Sequence, residues 1–114
     1  MMHLEASIER ADTTTLIITM TGAMTLGMKL REVESKINQV AGDGIHKLIL
    51  DLAGVEYADS AGLGLLMLLH GKMKTRGGQL RLVAPDKQLR DLFKLTCTDT
   101  ILTIDPDRAA ALAG

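Results

Sequence analysis

The spacing of apolar and polar residues changes several times along this chain, and each change marks an element. Leu4, Ala6 and Ile8 alternate with Glu5, Ser7 and Glu9, the period of a strand with one solvated face, as at a sheet edge. Residues 11–14 are turn-like, and the β-branched run Leu16–Thr21 reads as a second strand, antiparallel to the first and stopped by Gly22. From Leu26 the period becomes helical. Leu26, Leu30, Val33, Ile37 and Val40 share one stripe, with Lys29, Arg31, Glu32, Glu34 and Lys36 around the rest, until Gly42 and Gly44 end the helix. Leu48, Ile49, Leu50 and Leu52 then form a short apolar run suited to a strand buried on both faces, which Gly54 is expected to break.

Beyond Ser60 the apolar residues are too dense and run too long for a strand. Asp59 and Ser60 are residue types that accept hydrogen bonds from the unpaired amides of a helix start, so Ser60 is predicted at, or one residue from, a helix N-terminus. That helix gives way around Gly77 and Gly78, and Gln79–Ala84 is a further strand. Pro85 and Asp86 start a third helix with apolar positions Leu89, Leu92 and Phe93. Ile101–Ile104 make a last strand, and Pro106 in a first-turn position opens a terminal helix ending at Gly114. Strands alternating with helices predict an α/β fold with right-handed crossovers: a mixed, mostly parallel sheet of about five strands with about four helices.

Composition narrows the function. The 114 residues fit one domain spanning 1–114, and 46% hydrophobic residues are enough for a real core. Thirteen basic against fourteen acidic residues, with Tyr57 and Phe93 the only aromatics, argue against a nucleic-acid partner. A lone cysteine, Cys97, fits a reducing compartment and is too little for a cysteine metal site. The segment Met1–Arg10 carries His3, Glu5 and Glu9 and is not a signal peptide. The longest apolar run, Leu65–Leu69, is far short of the ~20 residues that span a bilayer, so a membrane is not expected and a cytoplasmic, bacterial-type protein is.

Ser60 at a strand-loop-helix junction invites comparison with a hydrolase nucleophile, but the elbow needs glycine on both sides, and position 58 is Ala although Gly62 is present. His70 lies about 15 Å up the same helix, out of reach as a base. No catalytic residue is therefore assigned. The three His and one Cys show no metal-ligand spacing, and Gly62 and Gly64 lie in neither GxxxxGK[ST] nor GxGxxG, so neither a metal nor a nucleotide cofactor is expected. Two glycines in one helical turn, each costing up to ~1 kcal/mol, instead indicate that a neighbouring element or a partner approaches the backbone there.

A hydroxyl at an exposed helix start is open to another enzyme, and the helix dipole and free amides would favour a phosphate on it. On a docking surface the added charge, about −1.5 to −2, would act as a binding switch. Helical geometry places Gly62, Leu65, Leu66, Leu69 and Met73 toward the core and leaves Gly64, Met67 and Leu68 outward, where they form either a docking patch or the underside of a covering helix.

Asp59-Ser60-Ala61-Gly62-Leu63-Gly64, after LILDL and AGVEYA, resembles the motif of STAS-domain anti-sigma factor antagonists. The likeness extends over the Thr21-Gly22 pair, the GGQLRLV strand, and the Leu89, Leu92, Phe93 helix leading to LTCTD. It implies a single STAS domain, not an enzyme, in which Ser60 is phosphorylated by a serine-kinase anti-sigma factor and dephosphorylated by a PP2C-type phosphatase. The unmodified form would bind the anti-sigma factor, releasing a sigma factor. The partner surface is expected to comprise Thr25, Asp59, Ser60, Ala61, Gly62, Leu63, Gly64, Met67 and Leu68 of a free monomer. The same resemblance allows a constitutively binding scaffold, or a cytosolic subunit of a transport system or stressosome-like complex. Ala23–Leu26 lack the acidic residue many members carry there, Ala61 leaves Ser60 as the motif's only hydroxyl, and Cys97 replaces a usual glycine.

Overall fold

A computed structural model describes residues 3–114; Met1 and Met2, the start of the segment read above as no signal peptide, lie outside the described residues. Five strands, β1 (Glu5–Asp12), β2 (Thr15–Met24), β3 (Lys47–Ala58), β4 (Gln79–Val83) and β5 (Thr103–Asp105), form one sheet in chain order. β1 is antiparallel to β2, and every later pair is parallel. The connections carry α1 (Met28–Val40), α2 (Ser60–Thr75) and α3 (Lys87–Leu95), and α4 (Arg108–Ala113) follows β5. The expected α/β architecture, edge hairpin included, is the observed one.

The alternation along β2 and β3 sorts side chains between two layers. Leu16, Ile18, Met20, Leu48, Leu50 and Leu52 face the main core, where α1 contributes Leu30, Val33 and Ile37, α2 contributes Leu65, Leu66, Leu69 and Met73, and α3 contributes Leu89 and Phe93. Ile17, Ile49 and Val83 point the other way, beneath Ala111 of α4. With each fully buried Leu, Ile, Val or Met contributing about 1.5–3 kcal/mol, the first layer dominates stability.

Several boundaries differ from the sequence reading, each for a physical reason. β3 does not stop at Gly54. It continues to Ala58 because irregularities in its pairing with β2, between Thr19 and Thr21 and again after Gly22, absorb the mismatch and let the strand bend onward. Leu26 does not belong to the buried stripe of α1: it is 73% exposed, and the helix starts at Met28. The last strand is shifted to Thr103–Asp105, with Ile101 in a turn. Pro106 precedes α4 instead of opening it, because the Asp107 carboxylate accepts the Ala110 N–H at 2.9 Å and so sets the cap one residue later. Cys97 has a φ of 59°, the left-handed region that glycine occupies without strain.

Candidate functional site

The junction from β3 to α2 is built around Asp59, the N-cap of α2. Its Oδ1 accepts the N–H groups of Ala61 at 2.9 Å and Gly62 at 3.0 Å, satisfying two of the donors a helix start leaves unpaired. Oδ2 accepts the Leu26 N–H at 3.0 Å. The Asp59 backbone N–H donates to the Met24 carbonyl at 3.2 Å, so the end of β2 and the loop after it are tied to the start of α2 twice. One residue earlier, the Ala58 N–H donates to Gln88 Oε1 at 3.2 Å, which anchors α3 to the same corner.

These amides hold the Asp59 carboxyl below its ordinary value of 3.8. The Leu26 N–H is the largest cause, partial desolvation opposes it, and the Gly62 and Ala61 amides add to it. Asp59 is therefore a charged cap with both oxygens engaged.

Ser60 is the first residue of α2 and is exposed. Its hydroxyl has no hydrogen-bond partner among the described residues, and His70 lies nearly three turns along the same helix. The free amides expected to receive a phosphate are not free: Ala61 and Gly62 already donate to Asp59. A phosphoryl group on Ser60 would sit outside that cap, beside a carboxylate, with its charge facing solvent or a partner. Among the described residues no group of three or more His, Cys, Asp or Glu is arranged to hold a metal ion.

The structure divides the other motif residues between two jobs. Gly62 and Leu63 turn inward. A methyl group at Gly62 would collide with the Met24 carbonyl and come within 2.8 Å of Met24 Cβ, so this glycine lets α2 lie against the end of β2. Gly64 is different: nothing lies within 4 Å of where its Cβ would be. Ala61 is half-buried against the core, Thr25 and Met67 are half-buried, and Leu68 is 43% exposed. Met67 and Leu68 line an open hollow with Gly71, Lys72 and Arg76. Thr25, Asp59 and Ser60 thus cluster at the helix start, while Gly64, Met67 and Leu68 run along the outer side of α2.

Two residues that the sequence reading did not place here, one of them assigned to the buried stripe of α1, complete this surface. Leu26 and Met28 are 73% and 76% exposed, at the corner that the Asp59 carboxylate pins. Gly27 between them has a φ of 155° and a ψ of −176°, a conformation essentially reserved for glycine. The signal was legible as two large aliphatics flanking a glycine in a stretch, Thr21–Met28, without a charge.

Comparison with known proteins finds the same fold in solved structures. An anti-sigma factor antagonist from Mycobacterium paratuberculosis superposes with a TM-score of 0.80 at 25% identity, over 96% of this chain and 92% of that one. The anti-sigma factor antagonist SpoIIAA in its unphosphorylated form gives a TM-score of 0.78 at 18% identity, over 93% and 92% of the two chains. The Bacillus cell fate determinant SpoIIAA in its phosphorylated form gives 0.74 at 17% identity, over 93% and 96%. The sequence profile of the STAS domain matches residues 5–111, from the start of β1 to the middle of α4. This chain therefore belongs to the STAS domain family.

Proposed function

We propose that this protein is an anti-sigma factor antagonist, a single STAS domain over residues 1–114 that acts by binding and not by catalysis. Its unmodified form docks on a serine-kinase anti-sigma factor in the bacterial cytoplasm, and the sigma factor held there is released. The kinase phosphorylates Ser60, which ends docking, and a PP2C-type phosphatase restores it.

The observation that carries this reading is the state of Ser60: exposed, at the first position of α2, with the neighbouring amides already taken by Asp59. Nothing in the fold has to move for a kinase to reach the hydroxyl, and the cap leaves a phosphoryl group at the surface. Supporting it are the partly apolar surroundings, Leu26, Met28, Gly64, Met67 and Leu68, beside an Asp59 carboxylate whose oxygens are already satisfied by backbone amides. A partner fitted to such a surface would have to bury an unpaired charge at roughly 2–5 kcal/mol. That is about thirty-fold to several-thousand-fold in affinity.

The test is phosphate mapping after incubation with the cognate serine-kinase anti-sigma factor and ATP. One phosphate on Ser60 with loss of binding, reversed by the phosphatase, is expected. An unmodified Ser60 with binding intact would replace the switch with a constitutive scaffold.

A further inference from the structure

The face of the sheet opposite α1, α2 and α3 carries Ile17, Ile49 and Val83, one each on β2, β3 and β4, and α4 covers them with a single buried side chain, Ala111. A helix of 6 residues does not hold its shape alone, since isolated helices under roughly 12–15 residues are marginal in water. Polar fasteners hold it instead. At its start Arg108 reaches three adjacent strands: Nε donates to Asp51 Oδ2 at 2.8 Å, Nη1 to Glu9 Oε1 at 2.9 Å and Nη2 to Thr19 Oγ1 at 2.6 Å. At its far end Lys47 Nζ donates to the carbonyls of Ala111, Leu112 and Gly114 at 3.0, 3.1 and 2.7 Å.

We propose that α4 is a releasable strap. Arg108 and Lys47 fasten it, and when they let go the segment detaches and loses its helical shape, baring Ile17, Ile49 and Val83 while the sheet and α1–α3 stay folded. The imbalance between the layers is the reason: the α1–α3 side rests on a continuous apolar core, whereas α4 rests on contacts that water and salt can replace. The side chain of Arg108 is 39% exposed and that of Glu9 62%, while Asp51, at 14%, is the sheltered anchor that a release must desert. The point of release is also set. Arg81 holds Asp105 with Nε and Nη2 at 2.8 and 2.9 Å, which keeps β5 on the sheet, so lifting begins at Pro106 and Asp107.

Two readouts on the full chain test this, with Arg108→Gln as the perturbation. In hydrogen exchange, the amides of Ala111–Gly114 are expected to exchange faster than those of Ile49 and Leu50. Arg108→Gln should speed the first group about tenfold and leave the second unchanged. In a Cys97→Gly background, the thiol introduced by Val83→Cys should react with a small disulfide reagent about tenfold faster once Arg108→Gln is added, and faster again in 1 M NaCl. If Arg108→Gln accelerates both groups of amides equally, α4 is part of the global folding unit, and if it leaves α4 exchange unaltered, Arg108 does not fasten it; either result refutes the strap. Should Val83→Cys fail to fold, the exchange readout decides alone.

Discussion

Asp59 and Leu26 lie 33 positions apart in the chain, yet the carboxylate of one accepts the backbone N–H of the other at 3.0 Å, while its second oxygen caps α2. One side chain therefore fixes both halves of the surface around Ser60: the helix that presents the hydroxyl and the loop that presents Leu26 and Met28. Folding and presentation are coupled at this residue.

Asp59→Asn separates the two roles, because asparagine can still cap Ala61 and Gly62 with its oxygen but offers Leu26 an NH₂ in place of an acceptor. A loss of about 1 kcal/mol at pH 7 is expected in urea unfolding. The sign with pH follows from the depressed carboxyl. Its folded value lies below 3.8, so its contribution is fully present above the unfolded value and is lost as pH falls through the folded one. Stability of the native chain should decline between about pH 5 and 2, and Asp59→Asn should flatten part of that decline. Parallel stability curves for the two proteins would show that the charge is not what holds the loop.

The glycines of the motif make opposite predictions. Gly62→Ala forces a methyl group onto Met24 and should destabilise by about 1–3 kcal/mol through overpacking. Gly64→Ala meets nothing, and should stabilise the helix interior by roughly 0.5–1 kcal/mol. It should also weaken docking, since a partner approaching the outer side of α2 would meet the new methyl. Denaturation midpoints and partner affinity measured on the same two variants check both signs.

Leu26→Ser and Met28→Ser remove apolar groups that solvent already surrounds, so stability should change by less than about 0.5 kcal/mol. If these side chains anchor the partner, each change should lower affinity by about tenfold or more. Calorimetric titration against the anti-sigma factor reads this directly, and unchanged affinity in both variants would confine the docking surface to α2.

The order of elements was legible because the hydrophobic period itself changes: two residues in β1, three to four in α1, a continuous run in β3. Ser60 at a helix start was legible from Asp59, a local cap two and three residues along the chain from the amides it satisfies. What escaped depends on contacts between distant segments. Gly54 looks like a strand stop until the irregular pairing opposite Thr21 is seen to carry β3 onward. Leu26 fits a helical stripe by spacing, and only the Asp59 carboxylate, which belongs to another element, draws it out of the core side and into solvent. Arg108 likewise gives no hint in the sequence that it joins Glu9, Thr19 and Asp51.

The central claim concerns charge at one oxygen, and the affinity of the serine-kinase anti-sigma factor for the chain before and after phosphorylation of Ser60 measures it most directly. The account predicts that the phosphorylated form binds at least about thirty-fold more weakly while its unfolding free energy stays within about 0.5 kcal/mol of that of the unmodified chain. Equal affinities for the two forms would contradict it.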